Sequence, residues 1–256
     1  MRYRVLGCSG GEAPGYHLSS FLLDDTVLID AGSVSAVLEI PAQLKIESVL
    51  LTHSHLDHVR GLCHLADNVF GRRDRPISVY SIEPVLEALK TSLLNNVLWP
   101  DFTEIPNSHM PILDFRAISE GTATPLGHFR VTPIRLSHTV VSLGYLLEGD
   151  FGTLLHLGDT GPTEAVWHMV KGMPNLRAVM IGTSFPNRLQ HLADLSGHLT
   201  PQGLKGELAK GDVKANVYVY HMKPPYVSEI AEELKQLVPE CHILEEGKEY
   251  SFPPIP

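Results

Sequence analysis

The 256-residue chain reads as an α/β (α+β) protein in which two mixed β-sheets pack face to face with helices outside them, as one domain over residues 1–256. Three observations predict this. Strand-like stretches come in blocks, three near the N-terminus and a further run over 127–160. Helical stretches separate the later strands. No linker, repeat or low-complexity segment divides the chain. A doubly wound parallel sheet is the competing arrangement, and the closely spaced N-terminal strands favour the sandwich.

The elements follow in order. "RYRVLG" (2–7), "SSFLLDD" (19–25) and "TVLIDAG" (26–32) are β-rich runs separated by turn residues, and "SVLLT" (48–52) is apolar enough to be buried on both faces. "HVRGLCHLADNV" (58–69) reads as a helix, "PISVYS" (76–81) as a strand and "IEPVLEALKTSLL" (82–94) as an amphipathic helix. Over 95–115, "NNVLWPDFTEIPNSHMPILDF" mixes proline, asparagine and aromatics without a period, and reads as an active-site loop or a small excursion. Strands resume at 127–138, 142–150 and 152–160, followed by a helix at 162–172 and a buried strand at 176–182. "TPQGLKGELAKG" (200–211) opens on a threonine cap and a proline, as a helix does. A strand at 215–222 and an amphipathic helix at 228–238 complete the chain.

A net charge of −9 argues against broad nucleic-acid or membrane-surface binding, which need basic faces, but not against an anionic substrate held beside a metal ion. Cys8, Cys63 and Cys241 are too widely spaced for a disulfide framework or a thiolate zinc site. No apolar run approaches about 18 residues, so no membrane-spanning helix is expected. The N-terminus lacks the apolar core of a signal peptide. The expected compartment is the cytoplasm.

Fourteen histidines are many for this length, and "LLTHSHLDHVRG" (50–61) gathers three of them with an aspartate directly after a buried strand. In extended chain, residues two apart point the same way, so His53 and His55 can grip one ion together. Asp57 and His58 open the next helix and can turn toward a second ion. Imidazole with a few carboxylates suits zinc, manganese or iron. Four ligands are too few for two ions. His138, Asp159 and His221 each stand where a buried strand gives way to a turn, which makes them candidates for the remainder. His156, among apolar residues, reads as a packed group.

"THSHLDH" resembles the H-x-H-x-D-H signature of the metallo-β-lactamase superfamily, with His138, Asp159 and His221 following in that superfamily's order. The resemblance implies a four-layer αββα sandwich. It also implies one ion on His53, His55 and His138, a second on Asp57, His58 and His221, and Asp159 bridging the two. Two divalent ions, zinc first and manganese or iron as alternatives, are the implied cofactors. His55 stands where the diiron flavoprotein branch carries glutamate, which disfavours oxidoreductase chemistry.

"HSHLDHVRGL", "NNVLWPDF" and "TSFPNRLQHLADLSGHLTP" (183–201) are similar to the class II cyclic-nucleotide phosphodiesterases. Gly182 departs from that pattern, which often has an acidic residue before "TSFPN". The implied reaction is hydrolysis of a 3′,5′-cyclic nucleotide, cyclic AMP first, to the 5′-nucleotide by a hydroxide held between the ions. Asp57 and Asp159 would orient that nucleophile, and His198 would serve the leaving oxygen. Trp99 and Phe102 are candidates to stack on the base and Asn95 and Asn96 to read its edge. Ser184 and Asn187 are carried over as pocket residues. The partner is then a small phosphodiester, with nucleic acid and membrane disfavoured. A homodimer is compatible with the resemblance but required by no stripe of residues. The rival readings are an RNase Z-like nuclease, a lactonase or thioester hydrolase on the same ions, and a non-catalytic metal-binding module.

Overall fold

The computed structural model describes residues 1–255. Strands β1 (Arg2–Gly7), β2 (Ser20–Leu23) and β3 (Val27–Ala31) form an antiparallel meander. Two short helices, α1 (Val34–Val37) and α2 (Ile40–Gln43), cross to β4 (Ser48–Leu50), which pairs parallel with β3. Helix α3 (Leu56–Val69), β5 (Ile77–Ser81), α4 (Glu83–Ser92) and β6 (Leu113–Ala117) extend the same sheet in parallel. The second sheet begins with β7 (Thr124–Leu126), β8 (Phe129–Leu136), β9 (Ser142–Gly149) and β10 (Gly152–Leu157). It continues through α5 (Ala165–Val170), β11 (Leu176–Gly182), α6 (Gln190–Ser196), α7 (Pro201–Gly211) and β12 (Asn216–Tyr220). Helix α8 (Val227–Leu237), β13 (His242–Ile243) and β14 (Glu249–Ser251) finish the described chain.

Two mixed seven-stranded sheets result, in the orders β14-β1-β2-β3-β4-β5-β6 and β13-β12-β11-β10-β9-β8-β7. Side-chain alternation along the strands of the second sheet explains the layers. Leu154, Ala178 and Met180 point inward and share a core with Tyr3, Phe21 and Leu28 of the first sheet. Leu155, Leu157, Val179 and Ile181 point outward and are covered by Val166 and Trp167 of α5, Leu204 of α7 and Ile230 and Leu234 of α8. On the far side of the first sheet, Val59, Leu62 and Leu65 of α3 and Leu86 and Leu89 of α4 close the other flank.

Strands β10, β11 and β12 run parallel, and β8 shares their direction because β9 is antiparallel to both β8 and β10. The carboxyl ends of β8, β10, β11 and β12 therefore lie on one rim, which is where α/β sheets place ligands. Among the described residues, no helix is long and apolar enough to cross a membrane.

Three differences from the sequence reading are instructive. Helix α3 begins at Leu56, two residues earlier than the apolar pattern indicates, so Asp57 and His58 fall inside its first turn. The aperiodic stretch 95–115 ends in β6, and its Phe102 is buried in the core. Edge strands β13 and β14, two and three residues long, owe their pairing to neighbours rather than to local pattern.

Candidate metal centre

After β4 the chain stays extended to His55, which stands at the N-terminal boundary of α3 with φ −65° and ψ 146°. Asp57 follows in the first turn, at the positive end of that helix, a favourable place for a carboxylate. His138 and Asp159 each follow their strand by two residues, and His221 follows β12 by one. His221 (φ 64°) and Asp30 in β3 (φ 53°) both occupy the left-handed region, in which histidine and aspartate are enriched among non-glycine residues.

The seven side chains converge. His53, His55 and His138 form one group, and Asp57, His58, Asp159 and His221 another, each with donor atoms within 4.8 Å of one another. Asp159 Oδ2 lies between them, 3.3 Å from His221 Nε2, 3.5 Å from His58 Nε2 and 3.7 Å from His53 Nε2. Asp57 Oδ2 is 3.4 Å from His221 Nε2. His198 joins the rim, with Nδ1 3.9 Å from Asp159 Oδ2 and its ring stacked on that of His221 at 5.4 Å. His138, Asp159 and His198 form a third set of convergent donors.

The opposite edges of the rings explain their orientation. His58 Nδ1–H donates to Asp30 Oδ2 at 2.6 Å, and His138 Nδ1–H donates to the Gly197 carbonyl at 2.8 Å. Both partners only accept, so both rings carry their proton on Nδ1 and turn an Nε2 lone pair inward. Thr52 Oγ1 donates to Asp30 Oδ2 at 2.8 Å and thereby accepts from His53 Nδ1–H at 3.0 Å, with the same result for His53. Gly197 itself has φ 66°, and a Cβ there would come within 2.9 Å of His138 Nδ1. Only glycine fits that approach.

Ring nitrogens therefore face ring nitrogens. His58 Nε2 and His221 Nε2 are 3.2 Å apart, as are His138 Nε2 and His55 Nδ1. His53 Nε2 and Asp159 Oδ1 are buried without a hydrogen-bond partner. Orphaned acceptors among convergent nitrogen and carboxylate donors are what a divalent transition ion satisfies. The titration behaviour agrees. Burial and the neighbouring His58 hold His53 well below the usual histidine range. Burial disfavours charge on Asp159, but His221 and His58 outweigh it and keep the carboxylate ionised. Burial opposes charge on His58, and Asp159 and Asp30 overcome it and hold the ring well above the usual range, so without an ion a second proton on Nε2 takes the place an ion would take. The cluster attracts cationic charge.

Several expected pocket residues do other work. Phe102 is 4% exposed and belongs to the core, with the exposed Phe70 ring 6.2 Å away, so it offers no face to a base. Trp99 is half-buried with its ring edge-on to His64 of α3. Asn96 Oδ1 accepts from the Asp101 N–H, and Asn95 Oδ1 accepts from Val97 N–H and Leu98 N–H, so both organise the loop. Asn187 Oδ1 accepts from Gln202 N–H in the first turn of α7. Ser184 is fully buried between His221 and His198, beneath the site rather than lining its mouth. His156 is packed as expected, with Nδ1 2.9 Å from the Tyr3 hydroxyl. Asp30 and Thr52 escaped the sequence reading. Their signal was one carboxylate inside the apolar run "VLIDA" and one hydroxyl next to the histidines.

A model of the family described as β-lactamase superfamily domain matches residues 25–234. The chain is 26% identical to the probable 3′,5′-cyclic-nucleotide phosphodiesterase of Yersinia pestis, over 87% of this chain and 78% of that protein. It is also 26% identical to the 3′,5′-cyclic-nucleotide phosphodiesterase of Aliivibrio fischeri, over 86% of this chain and 80% of that one. Among solved structures it resembles unliganded yeast PDE1 with a TM-score of 0.83 at 18% identity, covering 97% of this chain and 98% of that one, a likeness of fold.

Proposed function

Because the chain belongs to the metallo-β-lactamase superfamily of hydrolases, we propose that it is a binuclear metal phosphodiesterase that opens 3′,5′-cyclic nucleotides, cyclic AMP first, to 5′-nucleotides. The observation that carries the chemistry is the convergence of the lone pairs of His53, His58 and His138 on ionised Asp159. The substrate class is supported by the names of two relatives aligned over most of the chain.

His53, His55 and His138 would hold one ion, Asp57, His58 and His221 the other, and Asp159 both. Zinc is the first choice. Bound divalent ions lower the pKa of water from 15.7 to about 7 and offset charge on phosphoryl oxygens. The chain's own groups do the rest. Asp57, one quarter exposed at the mouth, accepts a hydrogen bond from the attacking water and turns its lone pair toward phosphorus. Its carboxylate stays ionised because the neighbouring His221 and His58 outweigh the cost of burial. His198 stands beside Asp159, with its Nδ1 3.9 Å from Asp159 Oδ2. It would donate a hydrogen bond to the 3′ oxygen as the P–O bond breaks, while the proton of the attacking hydroxide passes to that oxygen. Burial pushes its ring down to about 3, so at neutral pH it approaches the substrate as a neutral N–H donor.

A panel of cyclic AMP, cyclic GMP, bis(p-nitrophenyl) phosphate, a lactone and precursor tRNA, given to the metal-loaded protein, tests this reading. Turnover of the cyclic nucleotides to 5′-products is expected. Lactone turnover without phosphodiester turnover would overturn it, and preference for precursor tRNA would move the assignment to the nuclease reading.

A further inference from the structure

His198 and His221 are linked by one hydroxyl. Ser184 Oγ lies 3.0 Å from His221 Nδ1 and 3.2 Å from His198 Nδ1. The serine is fully buried, and its backbone is pinned on both sides: its N–H donates to the Leu199 carbonyl at 3.0 Å, and its carbonyl accepts from Lys223 N–H at 3.2 Å. A hydroxyl has one proton and can donate to only one of two ring nitrogens. The direction of donation therefore decides which tautomer each ring adopts.

His221 settles that direction. Its Nε2 faces Asp57 and Asp159 at 3.4 and 3.3 Å, on the side where the proposed ion sits. When Nε2 serves as a ligand its lone pair is engaged, and the ring proton must be on Nδ1. Nδ1–H of His221 then donates to Ser184 Oγ. The Ser184 O–H is free to donate onward to His198 Nδ1. His198 accepts there, so its own proton lies on Nε2, the nitrogen turned away from the serine.

We infer that Ser184 is a positioning residue which, by relaying the His221 tautomer, keeps the His198 proton on Nε2 for the leaving oxygen. This rests on the metal-phosphodiesterase reading above. It gives Ser184 a role different from pocket lining, and it makes the hydrogen bond to the departing oxygen depend on a ligand of the second ion. The adjoining Gly182 is consistent with this. A Cβ there would lie 3.4 Å from His221 Cβ and 3.9 Å from Asp159 Oδ1, so position 182 holds no side chain that could orient His198 instead.

The test is the 15N spectrum of histidine-labelled, zinc-loaded protein, with His198 assigned by His198→Gln. The Nε2–H tautomer of His198 is expected in the unsubstituted protein, and an Nδ1–H tautomer there would overturn the inference without any variant. In Ser184→Ala, with zinc content checked, the signal should shift toward a mixture of tautomers, and an unmoved signal would overturn it. A kinetic split accompanies this. Ser184→Ala should lose about tenfold or more in kcat on an alkyl-leaving phosphodiester and little on bis(p-nitrophenyl) phosphate, whose leaving group needs no proton. Equal losses on both would overturn the relay. Ser184→Thr, which keeps the hydroxyl, should recover the split. If no phosphodiester is turned over by the unsubstituted protein, the proposed function fails. The tautomer measurement still decides the relay separately.

Discussion

Asp30 is the residue whose replacement tests the support of the site most sharply. Three donors end on its buried carboxylate: Thr52 N–H at 2.8 Å, Thr52 Oγ1–H at 2.8 Å and His58 Nδ1–H at 2.6 Å. Asp30→Ala strands all three in a place closed to water. Each stranded donor costs about 1–3 kcal/mol, and breaking a buried charged pair costs about 3–5 kcal/mol in total. For a chain of this size about 2–4 °C of Tm accompanies each kcal/mol, so the metal-depleted variant should unfold roughly 6–20 °C lower. Asp30→Asn isolates the electrostatic part. The amide keeps the shape and can still accept from Thr52, but it no longer supports the charge that makes His58 a strong ligand. Metal affinity should fall about 10–100-fold, as for other lost supports of ligating histidines. Thermal unfolding of depleted protein and competition against a chromophoric chelator measure the two effects. An Asp30→Asn protein with unchanged metal affinity, or an Asp30→Ala protein with unchanged Tm, would refute the argument that this carboxylate holds His58 and Thr52 in place.

Other outcomes follow from the same geometry. His198→Ala should leave both metals bound while turnover falls about 10²-fold or more, as for a lost hydrogen-bond donor to developing charge; a drop in metal content would instead make His198 a ligand, as its place in the third donor set allows. Burial pushes His156 down to about 3, below its unfolded value, so the unfolded chain binds the extra proton as pH falls. The neutral ring's stability is fully present above about pH 6.5 and is lost toward pH 3 at about 1.4 kcal/mol per pH unit. His156→Phe should flatten urea-unfolding free energy against pH across that window, and an unchanged slope would contradict this. Phe102→Ala should cost about 3–5 kcal/mol of stability with KM for cyclic AMP unchanged; a raised KM with unchanged stability would restore Phe102 to the base pocket.

Much of the site was legible because it sits where buried strands end. "SVLL" and "GTLLHL" are apolar enough to announce strands, and a polar ligand directly after each stands out. The two-sheet arrangement was legible in the blocks of closely spaced strands, three near the N-terminus and a run over 127–160, whereas the alternation of inward and outward residues along β10 and β11 emerged only with the structure. What stayed hidden depends on partners distant in sequence. Asp30 lies within an apolar strand, and nothing local says that Thr52 and His58 donate to it. Ser184 read as pocket lining because no local pattern says which way a small hydroxyl turns. The 95–115 stretch was the weakest reading. Its asparagines satisfy backbone groups of the loop itself and its Phe102 anchors the core, so irregular sequence there reflects loop construction as well as function.

The central claim is that seven side chains hold two ions and that both are needed to open a cyclic phosphodiester. Stepwise addition of a divalent metal to the depleted protein, with bound metal and cyclic AMP hydrolysis followed together, tests it directly. Binding should saturate at two ions per chain, with turnover to 5′-AMP rising as the second is taken up. Saturation at one ion with full turnover, or two ions bound with no hydrolysis, would contradict it.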